Sequence, residues 1–303
     1  MTQEILIKTY SSLNEYEKNL VFDLIKKIES TTLKSFSELD KNFTSVIFNK
    51  GDTLFSFWIN GNVICTIGVV VKDIIYKGEI FITAINIRDE QLLNFSHLYN
   101  LLEKDLLERF NPKIIKLGIR NHIDILTKSL YDLSFDNPYY LYQMTFKANE
   151  FNSNILDSNF YMENLDNSNK NTYMHINNDS FSNSPNGGSL SIEDLYILIE
   201  SYKTNPNLIG IFKHKDIPVG IFELTIDNNI GTIEAIGISN NYQKKGFGKN
   251  LLYHVINRLK SNGANKIQLN VISINEVAYN IYLKQGFKKD KVLSKWFVKN
   301  IIT

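Results

Sequence analysis

The chain has 303 residues, 43% hydrophobic and 21% charged, with 33 basic side chains against 32 acidic ones for a net charge of +1. That length suits two domains of ordinary size, and the balanced charge supplies no broad positive field for nucleic acid or an anionic membrane, so neither partner is expected. The single cysteine, Cys65, excludes an internal disulfide and a Cys-based zinc site; no stretch approaches the ~18 apolar residues of a membrane span, and the N-terminus carries no basic-then-apolar leader. A cytoplasmic setting is therefore expected, with Cys65 as a small buried hydrophobe.

In chain order, apolar alternation predicts strands at 54–59, 63–71 and 79–87, a helix at 92–110 and a strand at 113–119. The segment 147–171, rich in Asn, Ser and Asp and without periodicity, is the expected junction between domains. Beyond it the series repeats: strands at 208–212, 217–224 and 230–238, a helix at 247–261 and a strand at 266–271. The repeat is offset by about 152 residues, as in a duplicated module. Ser191-Ile192-Glu193-Asp194 reads as a helix start with its cap and first-turn acids, and the loop Ser182 to Ser189 before it is placed to line a ligand mouth. In the helix from Phe247, the residues Leu251, Leu252, Val255, Ile256 and Leu259 form one apolar face for packing on a sheet.

The most informative stretch is Gln243-Lys244-Lys245-Gly246-Phe247-Gly248, a glycine turn between a predicted strand and a predicted helix. Unpaired N–H groups and the positive end of the helix dipole can hold a phosphate there, and glycines let the backbone come close. The spacing is neither a dinucleotide fingerprint nor a P-loop. A second cluster follows: Asn275, Ala278, Tyr282, Gly286 and Phe287.

With these two clusters the chain resembles the GCN5-related N-acetyltransferase (GNAT) superfamily. Gln243, Gly246 and Gly248 match the family's phosphate signature, and Asn275, Ala278, Tyr282, Gly286 and Phe287 its downstream one. The resemblance covers about 160–300; the first half shares the pattern only. It implies an α/β fold of two tandem acyl-CoA N-acyltransferase domains, each a mixed, mostly antiparallel central sheet flanked by helices. Residues 1–149 are expected to form a degenerate domain and 150–303 the catalytic one.

The resemblance further implies acetyl-CoA as acyl donor and an amine as acceptor, without a metal. Backbone N–H groups of Lys245, Gly246, Gly248 and Lys249 are expected at the pyrophosphate, with Gln243, Lys244 and Phe247 in the same turn. Ile236 and Ile238 are expected to offer backbone groups to the pantetheine beside a strand bulge, for which Gly237 is suited. A base must take the proton of an alkylammonium. Glu234 is the candidate, through a water, placed by a count of two and four residues on the face of Ile236 and Ile238. Tyr282 matches the acid that protonates the departing thiolate. Asn275 is either a pantetheine contact or a helix cap, and Ala278 completes the motif. An N–H near Ile236 is expected to hold the oxyanion.

The histidines His97, His122, His175, His214 and His254 lack metal-ligand spacing. In the first half, Asp89 to Asn94 replaces the glycine turn, Thr83 falls opposite Glu234, Leu130 opposite Tyr282 and Ser134 opposite Gly286. Tandem modules can pack on each other, so a monomer is expected. The alternative reading of the whole chain is a non-catalytic acyl-CoA-binding sensor or scaffold.

Overall fold

A computed structural model of the chain describes residues 4–28, 35–151 and 157–301; the middle of the expected junction, 152–156, lies outside them. The elements in chain order are β1 (Leu6–Thr9), α1 (Glu15–Ile28), α2 (Phe36–Phe43), β2 (Leu54–Ile59), β3 (Asn62–Val70), α3 (Ile74–Lys77), β4 (Glu79–Ile87), α4 (Phe95–Phe110), β5 (Ile114–Ile119), α5 (Thr127–Asp132) and β6 (Asp136–Lys147). The second half continues with β7 (Phe160–Asn164), α6 (Lys170–Phe181), α7 (Ile192–Ser201), β8 (Ile209–His214), β9 (Ile217–Asp227), β10 (Ile230–Ile238), α8 (Phe247–Ser261), β11 (Lys266–Ile272), α9 (Glu276–Lys284) and β12 (Lys288–Asn300).

Two compact units result, one of residues 1–139 with 294–303 and the other of residues 140–293. The expected boundary at 149/150 runs elsewhere because two strands change sides. Residues 141–147 of β6 pair antiparallel with β11, inside the second unit. Residues 295–300 of β12 pair antiparallel with β5, inside the first. Each unit thus takes the last strand of its sheet from the far end of the other half of the chain. This long-range pairing is invisible to a scan of local composition.

In the first unit the ladder runs β1-β2-β3-β4-β5 and ends on the C-terminal part of β12; only β4 and β5 are parallel. The apolar alternation of these strands buries Phe57, Ile67, Ile82 and Leu117 against Leu98, Leu102 and Leu106 of α4, with Phe297 from β12 in the same cluster. Cys65 is fully buried there, and burial pushes its thiol pKa up, the behaviour of an inert core residue. The C-terminal strand is also held by Lys299, whose ammonium lies 2.6 Å from Glu103, while Tyr99 donates to the same carboxylate at 2.9 Å.

In the second unit the ladder runs β7-β8-β9-β10-β11-β6, with β10 and β11 parallel. One face buries the expected stripe of α8, Leu251, Leu252, Val255, Ile256 and Leu259. The other packs under α6 and α7 through Tyr173, Ile176, Leu195, Ile211 and Ile221. α7 starts where the sequence indicates: Ser191 Oγ accepts from Asp194 N–H, and the Asp194 carboxylate accepts from Ser191 N–H.

Candidate active site

Strands β10 and β11 form a parallel ladder over Ile230–Ile233 and Lys266–Leu269 and then part. The cause is local. Ile233 faces Leu224 and Ala235 faces Glu223, so Glu234 is an extra residue, a bulge that bends β10 away from β11. The bulge expected at Gly237 is therefore at Glu234. Gly237 stays in register with Ile221, and its missing side chain serves another contact: a Cβ there would lie 2.7 Å from the Cβ of Ser180 on α6.

The bulge also overturns the count that put Glu234 on the face of Ile236 and Ile238. An inserted residue resets the alternation. Ile236 and Ile238 pack in the α8 cluster, while Ala235 packs under α6 and α7. Glu234 accepts a hydrogen bond from the Thr225 hydroxyl at 2.7 Å. Thr225 lies two residues from Glu223 and four from Ile221 on β9, on the α6–α7 face, and the Glu234 side chain is exposed there.

Beyond the bulge, Ser239 N–H donates to Val219 on β9. Because backbone groups alternate along an antiparallel strand, those of Ile236 and Ile238 point the other way, into the gap left by β11. The Ile238 carbonyl there accepts from the Gln243 side-chain amide at 2.9 Å, and the same amide reaches Asn240 Oδ1 at 3.0 Å. Gln243 thus ties the glycine turn to the end of the strand.

A second tie, unread in the sequence, comes from Asp179 of α6. Its carboxylate accepts from Ser239 Oγ at 2.6 Å and from Asn240 N–H at 2.8 Å. Burial works against the Asp179 charge, but the bonds from Ser239 and Asn240 outweigh it and leave the pKa below the ordinary value.

The turn itself is exposed. Lys244 and Gly246 adopt left-handed φ values of 60° and 82°, and Gly246 caps α8. No acceptor among the described residues takes the backbone N–H groups of Lys244, Lys245, Gly246, Phe247 or Gly248; the Lys249 N–H, expected among the pyrophosphate donors, instead closes the first turn of α8 on the Gly246 carbonyl at 3.1 Å, as does that of Asn250. A Cβ on Gly248 would meet only Ile281 at 3.9 Å and Ile238 at 4.0 Å. This bare run of donors fits a pyrophosphate. The ammonium of Lys245 is held by the Asn241 carbonyl at 2.8 Å, and that of Lys249 lies over the Tyr253 ring. The Phe247 ring is packed among Phe160, His214 and Tyr242, so only its backbone faces the turn.

On the far side of the gap stands α9. Asn275 caps it, its side-chain oxygen accepting from Ala278 N–H at 3.2 Å, which is the cap reading of that residue. Ala278, Ile281 and Tyr282 are half-buried against the α8-side core. The Tyr282 ring lies beside Phe287, its hydroxyl has no partner among the described residues, and burial pushes its pKa up to about 12.

The sequence reading passed over Glu223, a lone acid inside the apolar run of β9. It is half-buried and takes a hydrogen bond from the Tyr202 hydroxyl at 3.2 Å. Burial raises its pKa, the Tyr202 bond offsets part of that, and the neighbouring charge of Glu234 adds to it. The signal was there, since an acid between Phe222 and Leu224 needs a reason.

His175 is exposed and His254 is half-buried on α8; the side chain of His122 is outside the described set. Among the described residues no three His, Cys, Asp or Glu side chains gather as metal ligands, and no helix is long and apolar enough to cross a membrane.

Residues 171–287 match the sequence profile of the Acetyltransferase (GNAT) family, a span that contains the bulge, the glycine turn and Tyr282. The chain carries a GNAT-family domain. No curated protein matches the sequence. Among solved structures, a GCN5-related N-acetyltransferase from Sphaerobacter thermophilus aligns over 99% of this chain and 96% of its own, at a TM-score of 0.70 and 13% identity. A tandem GNAT protein from the clavulanic acid biosynthesis pathway aligns over 97% and 98%, at 0.59 and 7%. A glucosamine N-acetyltransferase region of a fungal multi-domain β-N-acetylglucosaminidase aligns over 98% of this chain but 38% of that protein, at 0.69 and 11%. At these identities the likeness establishes the tandem GNAT fold along the chain.

Proposed function

We propose that the second unit transfers an acetyl group from acetyl-CoA to an amine, and that the first unit binds no acyl donor. The observation that carries this reading is the combination of parted strands with five successive unclaimed N–H groups, Lys244 to Gly248, at the mouth of the opening. These donors hold the pyrophosphate, and the free edge of β10 at Ile236 and Ile238 pairs with the pantetheine as an added strand.

The amine reaches the donor as an ammonium and loses a proton, through water, to Glu234 at the bulge. Its nitrogen lone pair then attacks the thioester carbonyl carbon. The N–C bond forms, and the oxyanion is held by a backbone N–H near Ile236. As the C–S bond breaks, the electron pair goes to sulfur and Tyr282 supplies its proton. A phenol with a pKa of about 12 remains protonated at neutral pH, ready to donate as charge develops on the thiolate. The Thr225 hydroxyl fixes one Glu234 oxygen and leaves the other toward solvent.

Release of free thiol from acetyl-CoA across a panel of primary amines tests the reading. Turnover with at least one amine is expected, with a loss of about 10²–10⁴-fold in kcat for Glu234→Gln. Tight acetyl-CoA binding without thiol release for any amine would instead favour an acyl-CoA sensor.

A further inference from the structure

The face of the second sheet that carries Glu234 carries two carboxylates in adjoining positions. Glu223 is the direct cross-strand partner of Ala235, the residue after Glu234. Neither acid has a salt-bridge partner among the described residues; nearby Glu163, by contrast, is paired with Lys213 at 2.9 Å. A half-buried carboxylate, Glu223, next to the exposed one of Glu234, with no cation supplied by the protein, is unfavourable unless a ligand brings the cation.

A second, independent observation comes from α6. Tyr173 is 0% exposed, and its hydroxyl has no hydrogen-bond partner among the described residues. The carboxylate whose charge acts on it is Glu223. Buried hydroxyls are nearly always satisfied, so an orphan one within the field of the Glu223 carboxylate marks a group the chain does not provide. Tyr202 already donates to Glu223, which leaves the oxygen lone pairs of both phenols as acceptors. Two carboxylates and two phenol oxygens form a donor-seeking, anionic lining that suits ammonium groups.

We propose that Glu223 and Glu234 together recognise an acceptor with two amino groups on a short aliphatic spacer, one reacting beside Glu234 and the other held by Glu223, Tyr173 and Tyr202. The identity of the reacting amine rests on the acyltransferase reading; recognition of the two charges does not. The groups facing Glu223 are Tyr202 from the end of α7, Tyr173 from α6 and Glu234 from β10, while its partner on β8 is the apolar Ile209. A docked ammonium favours the carboxylate form of Glu223, so diamine binding releases a proton that monoamine binding does not.

The test is calorimetric titration of the full chain with 1,4-diaminobutane and with butylamine, with and without saturating CoA, in two buffers of different ionisation enthalpy. Diamine binding about ten- to a hundredfold tighter than butylamine is expected, with extra proton release. Both differences should vanish in Glu223→Gln, which keeps the shape and still accepts from Tyr202. Equal affinities, no binding of either amine, or a preference that survives Glu223→Gln would overturn the proposal. A parallel titration with CoA separates the two readings. Diamine selection without CoA binding removes the acyltransferase reading alone, and CoA binding without diamine selection removes this one alone.

Discussion

The two units have the same backbone device and put different side chains into it. In the first, β4 and β5 pair over Glu79–Ile82 and Ile114–Leu117 and then part, where β4 shifts register against β3 between Thr83 and Asn86 and Ala84 takes a left-handed φ of 48°. In the second, β10 and β11 pair over four residues and part at Glu234. The helices that follow start at Phe95 and Phe247, 152 residues apart.

What differs is the filling. Ile85, Ile87, Ile119, Ile123, Leu126 and Leu130 are all buried in one cluster in the first unit. Their surroundings in the second include Ile236, Ala278, Ile281 and Tyr282, only half-buried. The turn before the helix is acidic in one, with Asp89 and Glu90, and glycine-rich and basic in the other. A parted sheet is thus a scaffold, and whether it opens to a ligand is decided by a few side chains.

Substitutions at corresponding places should separate scaffold from site. The largest effect is expected for Phe297→Ala on the exchanged C-terminal strand, fully buried in the first unit, at about 3–5 kcal/mol of stability. Denaturant unfolding measures it, and acetyl-CoA affinity of the still-folded second unit should not change. A changed affinity would show that the units are not independent.

Position 130/282 sharpens the contrast. Leu130→Ala should cost about 2–5 kcal/mol and leave turnover intact, because the side chain is 0% exposed. Tyr282→Phe should do the reverse, lowering kcat about ten- to a hundredfold with stability changed by less than about 1 kcal/mol. Equal turnover for Tyr282→Phe and the parent would remove the acid from the scheme.

A smaller pair of opposite sign lies at the following turn, where Gly286 has φ 97° and Ser134 has φ 66°. Gly286→Ala should destabilise by about 1 kcal/mol and Ser134→Gly should stabilise by up to about 1 kcal/mol, read from melting curves. Glu223→Gln should give the smallest change, visible in its pH dependence. A carboxyl raised by burial weakens the fold above its folded pKa and costs nothing below the ordinary glutamate value of about 4.3. The variant should therefore melt higher than the parent at pH 8, with the gain fading toward pH 4.

The sequence makes much of this legible, and the exceptions share a cause. The central strands and the long helix of each unit, the apolar face of α8, the Ser191 cap and the glycine turn are local patterns of period or spacing, and each is where the sequence puts it. The bulge at Glu234 is not local: it is a mismatch between β9 and β10 that neither strand reveals alone. The same mismatch turned Glu234 to the α6–α7 face against a simple count of two. Glu223 is marked in the sequence by its place between Phe222 and Leu224, but its partner Tyr202 comes from the distant end of α7 and is seen only in the fold. The exchange of β6 and β12 depends on pairing across more than a hundred residues. Gln243 and Asp179 support the turn through contacts that folding creates.

The claim that one unit is built for the donor and the other is not can be put to a calorimetric titration with acetyl-CoA that counts sites. A Cβ at Gly248 meets only ordinary contacts at 3.9 and 4.0 Å, so Gly248→Trp fills the cradle rather than breaking the fold. The account predicts one site per chain, lost in Gly248→Trp and kept in Ser96→Trp at the corresponding position of the first unit. Two sites, or a single site that survives Gly248→Trp and disappears with Ser96→Trp, would contradict it.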